Sequence, residues 1–486
     1  MSASFESVRH VHIVGVCGTL MGAFAAFLKR SGKRVTGSDQ NVYPPMSDVL
    51  RNAGVELLDG YHAEHITHPP GGGRPDLVVI GNVISTGNAE ARAAIDGGFA
   101  YSSLPEAMER YLLVQTRNLV VCGTHGKTTT SSLLAHCLAK AGKDPSYFIG
   151  GVPQDLPFSF HVASTDPGRY FVLEGDEYDT AFWDKVPKFN HYLPDDAILT
   201  SVEYDHADIY PDFAAVVRAF EGLMIRIRPG GRLIACTDFA AVKDLTKLTK
   251  VPVTFYGSSA KAGAEYWPER VRSEGGRTHF DVLQAGKKVA ELELEIPGQH
   301  NVMNALAVWL ECQTLGLPAD GIRSGLASFR GVKRRQELRG EVNGILVMDD
   351  FAHHPTAVRE TLRALRARYP DRRLVTVFEP RSATSRRKVF QKDYAEAFGE
   401  AHVSYLAKPY DQSKISSDDQ FSSEQLVSDL IRGGRTAHLL EDVDGGVKVV
   451  AAAARSGDLI AVLSNGGFGG FIPKLLSELQ TLGASR

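Results

Sequence analysis

Short apolar runs and segments of helical spacing alternate along nearly the whole chain. VHIVGV reads as a first strand, MGAFAAFLKRSG as a helix, and KRVTGSD as a second strand ending at Asp39. LVVIGNVIS, Leu77 to Ser85, is a further strand that brings Asn82 to its end. Leu119 to Cys122 reads as a buried strand that breaks at Gly123. SSLLAHCLAKAG then places Leu133, Leu134, Cys137 and Leu138 on one helical face, with Gly142 as the stop. Two more apolar strands run into acidic text, YFVLEGDEYD at Glu174 and AILTSVEYDHADIY at Glu203. Between Gly230 and Pro297, GRLIACTD, VPVTFYG and THFDVLQAGKKVAELELEIPG predict short strands forming a small antiparallel appendage. A helix follows, with Ala305, Leu306, Val308, Trp309 and Leu310 on its apolar face. The last third alternates strand and helix from ILVMDDFA through PTAVRETLRALRARYP, RRLVTVFEP, DYAEAFGEA, HVSYLA and EQLVSDLIRGG to GDLIAVLS. That alternation predicts a parallel sheet with right-handed crossovers.

A length of 486 residues suits about three domains. The pattern divides at Gln115, before the central strand, and in the basic text RGVKRRQELR. The expected organisation is α/β throughout, with domains 1–115, 116–332 and 333–486. Composition is that of an ordinary globular protein, 43% hydrophobic and 23% charged. A net charge of −3 gives no field drawing the chain to nucleic acid or to a membrane surface. MSASFESVRH carries no apolar leader, and no apolar run is long enough to span a bilayer, so the expected location is cytoplasmic. The five cysteines are scattered and never paired as CxxC, which argues for reduced thiols and against a zinc site.

The chemistry centres on LVVCGTHGKTTT, Leu119 to Thr130. Strand, glycine loop, lysine-threonine and helix make a phosphate cradle. Backbone N–H groups of Gly123, Thr124, His125, Gly126 and Thr129 would face the anion, Lys127 would reach the β/γ-phosphates, and Thr128 would hold Mg²⁺. The spacing departs from GxxxxGK[ST], since Gly123 lies only three residues before Gly126. A glycine turn with an exposed lysine is the ordinary alternative. Glu174, at a strand end near this loop, suits Mg²⁺, as does His206 in YDHAD; lone histidines are more often structural. In the first domain, Gly15-x-x-Gly18-x-x-x-Gly22 lacks the tight glycine pair of a dinucleotide fingerprint. A packing turn, a nicotinamide site and a site for another nucleotide diphosphate all remain open there, with Asp39 behind the second strand. His300 and Asn301 precede a helix as caps or as readers of a purine edge. Asp350 and His353, Arg381, and Ser464 with Asn465 stand at strand ends of the last domain. The first and last domains thus read as Rossmann-like, and the central one as P-loop ATPase-like.

These stretches resemble the Mur ligases, ATP-dependent amide-forming enzymes of peptidoglycan synthesis, over essentially the whole length. GTHGKTTT is similar to that family's own loop, GTxGKTT. EGDEYD resembles its acidic turn, EYDHAD its DH element, GQHNVMNALA its adenine-side helix, VKRRQE its arginine linker and DDFAHHPT its DDYxHHP turn. GVCGTLMG and GSD resemble the members that bind UDP-N-acetylmuramate. This implies substrate contacts at Gly15, Gly18, Thr19, Met21, Gly22, Ser38, Asp39 and Asn82. NVYPPMSDVL, EPRSAT and SNGGFGG resemble the branch that uses a recycled murein peptide, L-alanyl-γ-D-glutamyl-meso-diaminopimelate, as the amine. The branch that adds L-alanine is the alternative. Some members carry a carbamylated lysine at the metal site; Lys185 and Lys188 lie in a plausible region, but the alanine-adding branch does without one, so none is assigned here.

The resemblance implies ATP and Mg²⁺ as cofactors and a monomer or weak dimer. The lactyl carboxylate would attack the γ-phosphorus to give an acyl phosphate, which the peptide amine then opens. Lys127, Glu174 and His206 would be catalytic, with the metal on Thr128, Glu174 and His206. Arg335 and Asp350 would contact ATP, while His353, Arg381, Ser464 and Asn465 would meet the peptide. Two readings of other classes compete. A nicotinamide-dependent dehydrogenase leaves GTHGKTTT unexplained, and a nucleotide-regulated binding protein would bind ATP without turnover.

Overall fold

The structure, a computed structural model, describes residues 7–40, 42, 46–163 and 170–484. The chain packs as two compact units. The first contains the residues up to Glu203, Ala214–Trp267 and Ala305–Leu326; the second contains Tyr204–Phe213, Pro268–Asn304 and the chain from Ala327 on.

The first unit begins with five strands, β1 (His10–Val14), β2 (Arg34–Asp39), β3 (Glu56–Asp59), β4 (Leu77–Ile80) and β5 (Tyr101–Ser103). They form a parallel sheet in the order β3-β2-β1-β4-β5. β1 and β4 are buried along their whole length, as strands covered on both faces must be. The order reverses between them, so the loops after β1 and β4 border the crevice where such sheets take ligands. The helix Thr19–Arg30 lies against the rest of the unit through Phe24 and Phe27, whose rings meet Phe160 at 5.8 and 5.2 Å.

The same unit holds β6 (Arg117–Cys122), β7 (Ser146–Phe148), β8 (Phe160–His161), β9 (Tyr170–Gly175), β10 (Asp196–Leu199), β11 (Arg232–Cys236) and β12 (Val253–Tyr256), followed by the start of β13 (Tyr266–Glu274). Their order is β13-β12-β11-β10-β6-β9-β7-β8, and only β8 runs antiparallel. β11 and β12 correct the expected antiparallel appendage. The helix Ala240–Thr246 crosses between them, so GRLIAC and VPVTFY extend the parallel sheet. The strand predicted to end at Glu203 stops at Leu199, and the one predicted to reach Ser85 stops at Ile80.

In the second unit β14 (Arg277–Gln284) and β15 (Lys287–Leu294) make an antiparallel hairpin, as predicted for that part of the appendage. Six strands follow: β16 (Glu337–Val342), β17 (Ile345–Asp350), β18 (Arg373–Phe378), β19 (Val403–Ala407), β20 (Thr436–Leu440) and β21 (Asp458–Leu463). Their order is β16-β17-β21-β18-β19-β20. The sheet is parallel except for β16, which pairs antiparallel with β17 through a two-residue turn at Asn343 and Gly344. Helices cover both faces, with Leu362, Phe378 and Phe398 in one core and Val377, Phe471 and Leu475 in the other.

Candidate active site

The loop after β6 is shaped by two glycines. Gly123 has φ 130°, and a Cβ there would fall 2.2 Å from the Thr200 hydroxyl, so only glycine fits against the end of β10. Gly126 has φ 83° and begins the helix Lys127–Lys140 without any side-chain cap. The Thr130 amide reaches the Gly126 carbonyl at 2.9 Å. The amides of Lys127, Thr128 and Thr129 therefore precede the helical ladder and form the positive end of its dipole. Residues after β10 brace the loop. His125 N donates to Ser201 Oγ at 2.8 Å, and Glu203 N donates to Thr124 Oγ1 at 2.9 Å. The His125 ring meets the Glu203 carboxylate at 3.0 Å. This is a cradle of backbone donors at a helix start, which fits a nucleotide phosphate.

Lys127 Nζ donates to Gly123 O at 2.7 Å, Thr124 O at 3.1 Å and Glu177 Oε1 at 2.9 Å. Burial works against its charge, but the Glu177 carboxylate outweighs it and holds the ammonium above its usual range. Thr128 Oγ1 donates to Glu174 Oε1 at 2.7 Å, and Gly150 N donates to Glu174 Oε2 at 2.6 Å. Burial raises the Glu174 carboxyl above the ordinary carboxylate range despite these bonds. A hydroxyl beside a charge-poor buried carboxylate is a hard-oxygen donor pair that suits Mg²⁺. Next to it, Lys188 ion-pairs with Asp176 at 2.6 Å. Burial pushes Asp176 up, yet the Lys188 ammonium brings it down to about 2. Lys185 pairs with Asp179 at 2.9 Å.

In the first sheet, the Gly15 and Val16 amides donate to the Ser38 carbonyl at 2.9 and 3.0 Å, and Cys17 N donates to Asp39 Oδ2 at 3.0 Å. Gly18 opens its helix without a side-chain cap. Gly22 admits Met46, whose Sδ would sit 2.6 Å from a Cβ there. Met21 is buried beneath Gly81, while Asn82 is exposed just beyond β4. Thr19 starts the helix; its side chain lies outside the described part of the structure, as do Asn41, Tyr43, Pro44 and Pro45 of NVYPPMSDVL. The Ser38 hydroxyl is fully buried and donates to Glu90, so it shapes the loop.

Glu90 was not singled out from the sequence. It is wholly buried and also takes His12 Nε2 at 3.3 Å, His62 N at 3.2 Å and His65 Nδ1 at 2.6 Å. Burial pushes its carboxyl up, but His12, Ser38 and His65 together hold it below the usual range.

In the second unit, Asp350 ends β17 almost wholly buried. Its oxygens accept the Gln336 amide at 2.7 Å and the Ala352 amide at 2.7 Å. Burial raises its carboxyl, opposed first by the Arg335 charge. The exposed Arg335 guanidinium lies 5.1 Å from the Phe351 ring centroid. His300 and Asn301 lie inside the first turn of the helix Gln299–Thr314, which corrects their placement before it. Asn301 Nδ2 donates to Pro297 O at 2.7 Å and its Oδ1 accepts from Asn304 Nδ2 at 3.3 Å, so its amide ties down the preceding loop. His300 Nε2 contacts Gln336 Nε2 at 3.3 Å, and burial with the Arg335 charge lowers its pKa to about 4. His300 Nδ1 and Gln336 Oε1 are buried without partners among the described residues, as polar atoms awaiting a polar ligand would be.

His206 lies in the Tyr204–Phe213 segment with φ 56°. Its neighbour Asp205 accepts from Thr384 Oγ1 at 2.6 Å and stands 3.9 Å from His353 Nε2. Although burial opposes it, His206, His353 and His354 hold the Asp205 carboxyl far below the usual range. Arg381 lies over the Tyr410 ring at 3.7 Å and bonds Glu379 at 3.4 Å. Ser464 Oγ donates to the other Glu379 oxygen, and Asn465 Oδ1 is buried without a partner among the described residues. A Cβ at Gly466 would fall 2.1 Å from Arg381 Cδ, so the glycine leaves room for the arginine side chain as it lies here. Arg381, Glu379, Ser464 and Asn465 thus lie together, with a guanidinium and an unpaired amide oxygen available to a polar ligand.

Most of the chain matches one family. Residues 10–115 match the description "Mur ligase family, catalytic domain", 121–311 "Mur ligase middle domain" and 334–466 "Mur ligase, glutamate ligase domain". The chain is 38% identical to the UDP-N-acetylmuramate–L-alanyl-γ-D-glutamyl-meso-2,6-diaminoheptandioate ligase of Escherichia coli (strain K12), covering 96% of this chain and 98% of that one. It is 32% identical to the UDP-N-acetylmuramate–L-alanine ligase of Chlorobium phaeobacteroides (strain BS1), covering 97% of each. The crystal structure of a murein peptide ligase from Psychrobacter arcticus 273-4 superposes with a TM-score of 0.70 at 34% identity, covering 97% of this chain and 99% of that one. The chain belongs to the Mur ligase family, whose members form amide bonds at the expense of ATP. Family membership sets aside the dehydrogenase reading and the binding protein without turnover. No helix among the described residues is long and apolar enough to cross a membrane.

Proposed function

We propose that this chain joins the lactyl carboxylate of UDP-N-acetylmuramate to the amine of L-alanyl-γ-D-glutamyl-meso-diaminopimelate, in the cytoplasm, using ATP and Mg²⁺. The observation that carries the chemistry is the cradle from Gly123 to Thr128, with an ammonium and a hydroxyl–carboxylate pair at its edge. Near full-length identity to tripeptide ligases, at 38% and 36% against 32–35% for alanine ligases, favours the peptide over L-alanine.

A carboxylate is a poor electrophile because it is anionic and resonance-stabilised. Its oxygen attacks the γ-phosphorus of ATP, the P–O bond to ADP breaks, and an acyl phosphate results. The amine nitrogen then attacks the acyl carbon, phosphate leaves with the electron pair, and the nitrogen loses a proton. The protein contributes alignment and charge neutralisation. The amides at the start of the Lys127–Lys140 helix hold phosphate oxygens. Lys127, once released from its loop carbonyls, neutralises the transferring group. Thr128, Glu174 and His206 would hold Mg²⁺, which supplies positive charge against the phosphate oxygens. His300, Asn301, Arg335 and Asp350 serve the rest of the nucleotide. Gly15, Gly18, Gly22 and Asp39 order the uridine-sugar loop, with Thr19, Met21 and Asn82 at its rim. Arg381 binds a peptide carboxylate, with His353, Ser464 and Asn465 beside it. The working parts correspond to domains 1–115, 116–332 and 333–486.

Phosphate release with UDP-N-acetylmuramate and either tripeptide or L-alanine tests the reading. The tripeptide should be preferred by more than about tenfold in kcat/KM, and Lys127→Ala should lower kcat by about a hundredfold or more while leaving the fold intact. Equal use of L-alanine would replace the peptide assignment with the alanine one. Full activity of a folded Lys127→Ala protein would remove the ATP assignment.

A further inference from the structure

The EPRSAT stretch after β18 carries two residues of different character. The Arg381 side chain is 29% exposed, whereas Thr384 is 1% exposed and cannot face a substrate. Its hydroxyl donates to Asp205 Oδ1 at 2.6 Å and accepts the Ala207 amide at 3.2 Å. The same Asp205 oxygen accepts the His206 amide at 2.7 Å. The His206 carbonyl accepts the Ile209 and Tyr210 amides at 3.0 Å each, and His354 Nε2 holds the Tyr204 carbonyl at 3.1 Å. These bonds surround a single non-glycine residue, His206, at φ 56°, a conformation that persists only when its surroundings impose it.

We propose that Thr384 is a positioning residue for His206: its hydroxyl, bonded on one side to Asp205 and on the other to the Ala207 amide, fixes the turn that presents the His206 ring. The inference rests on the reading of His206 as a metal ligand. It assigns two jobs to one loop, Arg381 for the substrate and Thr384 for the turn, so order in the loop and order in the turn are linked. Threonine is needed because the position requires one donor and one acceptor on a side chain that fits a buried site. Valine keeps the shape and removes both; serine keeps both.

The test compares Thr384→Val, Thr384→Ser and His206→Ala with the unaltered protein. Hydrogen exchange over Tyr204–Tyr210 reads the turn in the absence of metal. Electron paramagnetic resonance of Mn²⁺ in the presence of ADP reads metal affinity, and steady-state kinetics read the tripeptide KM. Thr384→Val should speed exchange at Ala207 and weaken Mn²⁺ binding about tenfold, with the tripeptide KM within about twofold. Thr384→Ser should restore both. A raised tripeptide KM with unchanged Mn²⁺ affinity and exchange would make Thr384 a substrate contact and overturn the inference. Unchanged exchange in Thr384→Val would also overturn it. If His206→Ala binds Mn²⁺ normally, the metal reading of His206 fails instead. Exchange at Ala207 then decides alone whether Thr384 holds the turn.

Discussion

At the scale of single residues, the candidate site sets charges by burial and then corrects them with specific partners. Lys127 is sequestered by two carbonyls of its own loop and by Glu177, so a phosphate must replace bonds the lysine already makes. Glu174, bonded to the neighbouring Thr128 hydroxyl, has hydrogen-bond donors but too little positive charge to offset its burial. His300 shows how such tuning reaches stability. Its pKa is about 4 in the folded chain, below the ordinary 6.5. Between those values the unfolded chain binds the extra proton, so stability rises with pH across the window and is lost as pH falls through it. Acidification from pH 7 to 5 should cost about 2 kcal/mol through this residue. His300→Asn should lessen the loss by about that amount, as read by urea denaturation at the two pH values.

At the scale of elements, the helix Gln299–Thr314 carries a second buried acid. Glu311 lies against Asp196 at the start of β10, and neither of its oxygens has a hydrogen-bond partner among the described residues. Burial and the Asp196 charge raise it to about 8, in spite of Arg117 and Arg232. The folded chain therefore keeps a proton that the unfolded one releases above about pH 4.5, and stability falls as pH rises toward 8. Glu311→Gln should stabilise the protein at pH 8 by about 2–3 kcal/mol and change little at pH 5, by thermal or urea unfolding.

The elements also mark what could be read from the chain. The β6 loop was legible because apolar run, glycines and helical spacing are contiguous. The direction of β11 and β12 was not, because short apolar runs between turn residues look the same in either direction. Only the seven-residue helix Ala240–Thr246 makes them parallel. β16 was missed as an antiparallel edge because its exposed alternation hides beside basic linker text. β20 and the helix Val443–Ala453 were missed because Thr436–Leu440 is short and the helix holds two glycines. The Glu90 network was invisible for another reason. Its bonds to Ser38 and His12 span 52 and 78 residues, and NAEARAAID alone reads as a solvated helix face.

At the scale of the whole molecule, chain order and packing do not coincide. Tyr204–Phe213 and Pro268–Asn304 belong to the second unit although they lie between segments of the first, and Ala305–Leu326 then returns to the first. The interleaving makes the protein hard to take apart by cutting the backbone. A cut in the turn between β12 and β13, at Ala260 and Lys261, leaves two fragments, each holding pieces of both units. Neither fragment can complete the first unit without the other, because Ala305–Leu326 packs with chain that precedes the cut. A protease site engineered there should yield a nicked protein that migrates as two bands in denaturing gels but elutes as one species under native conditions. The same two fragments, made separately, should be inactive alone and recover an active ligase when co-expressed. For a gene encoding this chain, recombination breakpoints between residues 204 and 326 are therefore poorly tolerated: a crossover with a relative there would join part of a unit to a part that evolved against different neighbours.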